Sequence, residues 1–157
     1  CALPICPKIK PDLSKAFYSH GDDYIGIPPI AQFESSEEYY STLFHELTHS
    51  TGHTSRLNRN TIKVGHNYGS ADYSKEELIA EMGASFLCNL TGIDNAAVTN
   101  NNAGYIQGWV ECLKEDKRLI IQSSSKARKS TDYILGIKKE YDNDKIKDHK
   151  KTDRVLP

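Results

Sequence analysis

The sequence predicts an α+β fold in which a small N-terminal β-sheet packs on an HExxH helix and the C-terminal half is mainly helical. Three observations support this prediction. Two short apolar runs flank a turn signal within residues 16–27. An amphipathic segment that carries the HExxH pattern follows over residues 35–51. Helix-like apolar periodicity then continues to about residue 135. Strands followed by a run of helices are typical of the α+β class.

The overall composition fits one compact domain and argues against two classes of protein. The chain has 157 residues, which is near the commonest domain size. A formal net charge of −1 argues against a globally basic nucleic-acid binder. No apolar run approaches the ~20 residues of a membrane span, so we expect no membrane partner. Because the chain begins at Cys1 rather than Met, we expect a longer parent protein, and we expect the cysteines to be reduced thiols.

The N-terminal residues predict an extended segment followed by a β-hairpin. Five of the six prolines lie within residues 1–34, and we interpret residues 1–15 as an extended N-terminal segment. The turn signal of the hairpin is Gly21-Asp22-Asp23. We expect the strand Tyr24–Ile27 to offer its edge to an extended peptide.

The first predicted helix covers residues 35–51. Ser35 and Glu38 have the spacing of a capping box, and Gly52 is a natural stop. The apolar side chains recur at i, i+3, i+4 and i+7. They are Tyr40, Leu43, Phe44 and Leu47.

A second helix is expected over residues 74–91, after a polar connection. That connection, residues 53–73, is long for a compact domain and suggests a functional loop. Ser74 is placed to cap the helix, with Glu77 at the capping-box position. The expected apolar face is Leu78, Ile79, Met82, Phe86 and Leu90.

Two further helical stretches complete the predicted domain. The third runs from about residue 103 to 121 and the fourth from about 124 to 135. We take residues 16–136 as one domain. Residues 137–157 are rich in Lys and Asp and predict a charged, flexible tail.

The stretch His45-Glu46-Leu47-Thr48-His49 predicts a metal site. Histidines at i and i+4 project from one helix face, opposite the apolar stripe, so that both rings can bind one ion. Catalytic zinc takes three protein ligands and a water. Glu46 points beside the metal, where it can accept a proton from the bound water and pass it to a leaving amine. We therefore predict one catalytic Zn²⁺, although manganese or cobalt would fit the same ligands.

Three residues compete to be the third ligand. His53 lies four residues after His49, but Gly52 should end the helix between them. Glu77 and Glu81 lie one turn apart on the second helix, and either would complete a His-His-Glu site. We favour Glu77 as the ligand and Glu81 as an acceptor from a ligating histidine, with the swapped roles left open. The alternative HExxHxxGxxH pattern fails because Ser55 occupies its last position.

Two further groups of residues are functional candidates. Candidates for oxyanion stabilisation or substrate contact near the metal are Tyr68, His66, His53 and Tyr73. Candidates for nucleic-acid contact are Arg56, Arg59 and Lys63, together with Lys126, Arg128 and Lys129. A solvated charged face is the simpler interpretation of this second group.

Several separated blocks resemble the zincin-like metallopeptidase domain of ArdC-type antirestriction proteins and of polyvalent phage or plasmid proteins. These blocks are residues 39–53 and 55–59 around HELTH, residues 73–84 (YSKEELIAEMGA), the hairpin at 18–28, and residues 103–109. The resemblance covers about residues 17–136.

The resemblance implies a zinc-dependent peptidase that acts on a peptide or protein, in a bacterial, phage or plasmid setting and a cytoplasmic location. It implies that the family's third-ligand glutamate falls in the Glu77/Glu81 block. It also implies a preceding domain that binds single-stranded DNA. The alternative is a non-catalytic zinc-containing module that binds single-stranded DNA or a host restriction or repair factor. The sequence leaves the oligomeric state undefined.

Overall fold

A computed structural model describes residues 6–59, 71–93, 109–110, 113–114 and 116–137. Three strands, β1 (Lys8–Pro11), β2 (Phe17–Ser19) and β3 (Tyr24–Ile27), precede the helices. A short 3-10 turn at Ile30–Gln32 leads into them. The helices whose bounds lie within the described residues are α1 (Ser36–Ser50), α2 (Ala71–Thr91) and α3 (Leu119–Ile134). This is the predicted α+β arrangement.

The sheet has the order β1-β3-β2, with β1 parallel and β2 antiparallel to β3. The predicted hairpin is present as β2 and β3. Its turn places Asp23 at a φ of 51°, which aspartate tolerates better than most residues. The prediction that β3 offers a free edge is wrong, because the segment expected to be merely extended supplies β1. β3 is thereby paired on both sides, and β1 and β2 are the outer strands.

Helix α1 begins as the capping-box spacing predicts. The Ser35 hydroxyl accepts a hydrogen bond from the backbone N–H of Glu38 at 3.1 Å. The Glu38 carboxylate accepts from the backbone N–H of Glu34 at 2.9 Å. The first bond satisfies an N–H group that the first turn of a helix leaves without a partner, and the second ties the residue before Ser35 to that turn, so that together they fix where α1 starts.

One part of the hydrophobic core lies between the sheet and one face of α1. Ile25, Ile27 and Leu47 are its buried members. Of the predicted apolar stripe, Leu43 and Phe44 pack against this core. Tyr40 is instead 42% exposed, and its neighbour Tyr39 packs inward. With the stripe on the sheet, the opposite face of α1 is left to meet α2.

Among the described elements, helix α2 packs against both α1 and α3. Residues 76–80 are consequently buried as a continuous run rather than as a stripe. Leu90, expected in its apolar face, is 58% exposed near the end of the helix. The helix begins at Ala71, so Ser74 lies inside it and Glu77 is not a capping-box residue.

The third predicted helix was expected to reach residue 121, and that boundary is wrong. Residues 116–118 are not helical. The Asp116 carboxylate accepts the backbone N–H of Arg118 at 2.9 Å, and its carbonyl accepts that of Leu119 at 3.0 Å. These bonds start α3 five residues before the predicted fourth helix. Residues 109–110 and 113–114 are helical, and the rest of the predicted third helix lies outside the described residues.

The cysteines depart in part from the expectation of reduced thiols. Cys6 is disulfide-bonded, whereas Cys88 is a buried free thiol on α2. Among the described residues, no helix is long and apolar enough to cross a membrane.

Candidate metal centre

Two imidazoles meet on the face of α1 that is turned towards α2. The Nε2 atoms of His45 and His49 lie 3.0 Å apart, and the two rings are nearly perpendicular, with an interplanar angle of 77°. The spacing follows from i, i+4 placement on a helix, which puts side chains one turn apart on the same face. Both side chains are half-buried, so the nitrogen pair lies in a partly desolvated setting.

Glu77 of α2 completes a triangle with these nitrogens. One carboxylate oxygen lies 3.4 Å from His45 Nε2 and the other lies 3.5 Å from His49 Nε2. The donor atoms of His45, His49 and Glu77 all lie within 4.8 Å of one another. Metal bonds of about 2.0–2.2 Å would separate neighbouring donors of a tetrahedral site by about 3.3–3.6 Å. The residues present therefore fit a divalent cation in both chemistry and spacing.

The other nitrogen of each imidazole faces a second carboxylate. His45 Nδ1 lies 3.2 Å from Glu81, and His49 Nδ1 lies 3.3 Å from Glu76. A carboxylate behind a ligating histidine orients the ring and fixes which nitrogen carries the proton. Both alternatives for the second helix thus lie at the site, with Glu77 on the Nε2 side and Glu81 on the Nδ1 side.

The site has an excess of negative charge. Burial disfavours a charged His45, but the Glu77 and Glu81 carboxylates, with Glu46 nearby, raise the pKa of His45 to about 10. Burial likewise opposes ionisation of Glu77, yet His45 and His49 hold the pKa of that carboxyl below its usual value. The Tyr73 side chain, a candidate substrate contact, also bonds Glu77 and lowers its pKa. Such a cluster attracts a cation.

Glu46 follows His45 directly and is 8% exposed. No hydrogen bond or ion pair joins its carboxylate to another residue within the described ranges. The residue is largely buried, but its carboxylate oxygens are not among the buried side-chain atoms that lack a partner, so the carboxylate stays accessible to a water or a ligand. As the chain neighbour of His45, its carboxylate also contributes to the raised pKa of that histidine.

Sequence reasoning missed Glu76, which is 5% exposed and holds a buried arginine. One Arg59 nitrogen lies 2.5 Å from a Glu76 oxygen, and Arg59 Nε donates to the other at 3.3 Å. Burial opposes ionisation, but His49 and Arg59 lower the pKa of Glu76 to about 2. The adjacent acids at 76 and 77 were visible in the sequence, but nothing there showed that α2 is buried at this level.

The expectation that Arg56 and Arg59 contact nucleic acid does not hold, because both side chains are used inside the domain. The Arg59 side chain is 6% exposed. The Arg56 side chain is 2% exposed and binds the Asp23 carboxylate and the Tyr18 hydroxyl. Arg56 thereby ties the turn after α1 to the β2–β3 hairpin. Lys63 lies outside the described residues.

Lys126, Arg128 and Lys129 are exposed on α3. Arg128 pairs with Asp132 of the same helix at 3.1 Å. Of the nucleic-acid candidates, this α3 group is the part that the structure leaves at the surface.

Two further histidines lie together beyond the end of α1. His53 Nδ1 lies 2.7 Å from the Ser55 hydroxyl, and its ring centroid lies 5.3 Å from that of His20. His53 is not part of the donor triangle. His20, which follows β2, was not singled out from the sequence. Its buried Nδ1 has no partner among the described residues, and burial lowers its pKa. The candidates Tyr68 and His66 lie outside the described residues.

Comparison with known proteins shows the family and the fold to which this chain is similar. A family model described as a zincin-like metallopeptidase matches residues 6–126. Among solved structures, the antirestriction ArdC protein from the R388 plasmid in its Mn(II)-bound form aligns with a TM-score of 0.73 and 38% identity. Its metal-free form aligns with a TM-score of 0.70 and 37% identity. The Mn(II)-bound alignment covers 87% of this chain and 50% of the ArdC chain.

The chain is also similar to part of several curated proteins. A DNA primase TraC from Escherichia coli is 37% identical over 126 residues, which are 80% of this chain and 11% of the primase. The uncharacterized protein y4eC of Sinorhizobium fredii is 32% identical over 121 residues, which are 77% of this chain and 38% of that protein. The chain thus spans only part of the length of each relative. The match of the family model over most of the chain, with relatives at this identity, shows that the chain belongs to the zincin-like metallopeptidase family.

Proposed function

We propose that this domain is a zinc-dependent metallopeptidase of an antirestriction-type protein encoded by a mobile element. The proposal is carried by one observation. Two Nε2 atoms and a carboxylate converge at 3.0–3.5 Å, beside a buried Glu46 that has no partner in the described part of the chain.

In this proposal each side chain has a separate role. His45, His49 and Glu77 hold the cation, while Glu81 and Glu76 orient the two histidines. When bound, the cation supplies a Lewis acid that lowers the pKa of a water and polarises a carbonyl. A ligand set of two nitrogens and one oxygen can bind zinc, and it can also bind manganese, which is the metal of the ArdC structure.

Glu46 is the proposed proton carrier. Its carboxylate accepts a proton from the attacking water and returns it to the leaving amine, which restores the carboxylate for the next turnover. A general base of this kind must be ionised and free to reach its proton. The absence of a partner for Glu46 among the described residues supports this role.

The substrate would be an extended peptide added to the outer edge of β2 rather than to β3. Within the described ranges β2 pairs with β3 alone. His20 follows β2 and contacts His53, which follows α1, so this edge runs towards the end of the metal-site helix. Strand addition supplies main-chain hydrogen bonds that do not depend on the peptide's sequence.

The experiment that tests this function compares wild type with Glu46→Gln on a peptide library, after loading with Zn²⁺ or Mn²⁺. The variant should keep its metal and lose cleavage by about 100-fold or more, because general base catalysis is worth about 10²–10⁴-fold. Glu37→Gln is a matched control in the first turn of the same helix, about 13 Å away along its axis. Equal cleavage by Glu46→Gln and wild type would reject the role of Glu46.

A second candidate function is a non-catalytic module that binds single-stranded DNA or a host factor. The exposed basic group on α3 favours it, as do relatives described as antirestriction and primase proteins. A salt titration of single-stranded DNA binding tests whether DNA is the ligand, because phosphate contacts give a steep loss of affinity with salt. No binding at low salt would remove DNA as a ligand of this domain.

A further inference from the structure

The two histidines of the donor triangle are supported in unequal ways. Behind His45, the Glu81 side chain is 22% exposed. Behind His49, the Glu76 side chain is 7% exposed and is paired with the equally buried Arg59. The second arrangement is isolated from solvent, and the first is not.

Arg59 is held on every side of its guanidinium group. Besides Glu76, it donates to the Thr51 hydroxyl at 2.5 Å and to the Ser130 hydroxyl of α3 at 2.9 Å. It also donates to the backbone carbonyl of Thr48 at 2.8 Å. Its acceptors thus belong to α1 and the residue that follows it, to α2 and to α3. A planar guanidinium group with bonds in so many directions can adopt only one position. The Glu76 carboxylate that it binds is therefore fixed as well.

The turn after α1 brings Arg59 to this position. The backbone N–H of Arg59 donates to the carbonyl of Gly52 at 3.0 Å, which folds the chain back under the end of α1. Asn58 has a φ of 48° in this turn, a conformation that asparagine tolerates better than most residues.

The pair has a chemical consequence for His49. Arginine keeps its charge in proteins, so Glu76 beside it stays an anion and can only accept hydrogen bonds. The His49 Nδ1 lies 3.3 Å from Glu76 and is thus placed to donate a hydrogen bond to it. The lone pair of a neutral His49 is therefore left on Nε2, the atom that faces Glu77 and His45.

We propose that Arg59 and Glu76 are positioning residues that hold His49 with a protonated Nδ1 and an aimed Nε2 before any metal arrives. This inference rests on the proposed metal site and deepens it. Glu76 contacts His49 at Nδ1, on the other side of the ring from the Nε2 atom that belongs to the donor triangle. The effect of the two residues passes through the orientation of one ring, and it should exceed that of Glu81 on His45.

The test measures metal affinity and histidine protonation separately. Apparent dissociation constants for Zn²⁺ and for Mn²⁺ are obtained by chelator competition for wild type, Glu76→Gln and Glu81→Gln. The ¹⁵N shifts of His49 are read in the metal-free proteins. Urea unfolding of the metal-free forms records any general loss of stability. Glu81→Gln is the matched control, because it neutralises the carboxylate behind the other histidine.

The expected result is a loss of affinity of about 10–100-fold in Glu76→Gln and a smaller loss in Glu81→Gln. In metal-free wild type, His49 Nδ1 should be protonated, and this single state should be lost in Glu76→Gln. Arg59→Lys, which keeps the charge without the planar fork, should fall between wild type and Glu76→Gln.

Two results would overturn the inference. The first is an unprotonated Nδ1 on His49 in the metal-free wild type. The second is a loss of metal affinity in Glu81→Gln that equals or exceeds the loss in Glu76→Gln. The ¹⁵N spectrum of wild type tests the protonation of His49 even if Glu76→Gln fails to fold. A wild-type protein with a protonated Nδ1 that binds no metal would refute the proposed function and leave the positioning role standing.

Discussion

Thr48 of α1 packs directly against Gly83 of α2, at a place where no side chain could be added. A Cβ on Gly83 would lie 2.5 Å from Thr48 Cγ2 and 2.6 Å from its hydroxyl. Thr48 is fully buried and its hydroxyl donates to the carbonyl of Phe44, so it cannot easily move. This contact sets how closely the two helices approach, and hence how near Glu77 comes to the histidines.

The first prediction follows from this contact. Gly83→Ala should lower the free energy of unfolding by about 1–3 kcal/mol, the usual cost of overpacking. It should also weaken metal binding, because the helices that carry the donors are forced apart. Urea unfolding and chelator competition measure the two effects. Gly21→Ala is the control, since a Cβ there would meet nothing within 4 Å. If Gly83→Ala is destabilised but its metal affinity is unchanged, metal binding does not depend on the spacing of α1 and α2.

The second prediction separates Glu77 from Glu81. Glu77→Gln should abolish stable metal binding, because it removes the charge that faces both Nε2 atoms. Glu81→Gln should weaken binding by about 10-fold or less, because Glu81 contacts His45 at Nδ1 and is 22% exposed, so that water can replace it as the acceptor. Metal content after dialysis distinguishes them. The reverse order would assign the swapped roles, with Glu81 as the ligand.

The third prediction concerns acid stability. The Arg56 guanidinium, followed by the Tyr18 hydroxyl, holds the pKa of Asp23 below its ordinary value of 3.8 in the folded protein. A lowered folded pKa stabilises the protein above the unfolded pKa, and this stabilisation is lost as pH falls through the folded value. Asp23→Asn should therefore cost about 1–3 kcal/mol near neutral pH, and the cost should shrink below about pH 4. Unfolding measured across this range checks it, and a pH-independent difference would contradict it.

The fourth prediction concerns the start of α1. Ser35→Ala removes the acceptor for the Glu38 N–H and should cost about 1 kcal/mol. Metal affinity should not change, because the histidines lie about three turns further along the helix. Thermal unfolding and metal titration of the variant test the two halves of this statement. A fall in metal affinity would show that the cap and the site are coupled.

The parts of the structure that could be predicted depend on local spacing. The Ser35 cap and the His45–His49 pair are fixed by residues three and four apart, so the pattern of the chain is enough. The hairpin was visible for the same reason. The α2 start was misjudged because Ser74 looks like a cap, although the helix continues past it to Ala71.

The parts that could not be predicted depend on contacts between distant residues. The β1–β3 pairing joins segments separated by residues 12–23, which include β2, and it removed the free edge expected for β3. The choice between Glu77 and Glu81 depends on how α2 is rotated against α1, which a helical wheel of α2 alone cannot define. Glu76 and Arg59 each look like surface charges in the sequence, and only their pairing explains their burial.

The central claim is that His45, His49 and Glu77 hold one divalent cation. The most direct test is the metal content of wild type and His49→Ala, measured by elemental analysis after loading with Zn²⁺ and exhaustive dialysis. The account predicts about one metal ion per chain in wild type and almost none in the folded variant. Equal metal content in the two proteins, or none in wild type, would contradict it.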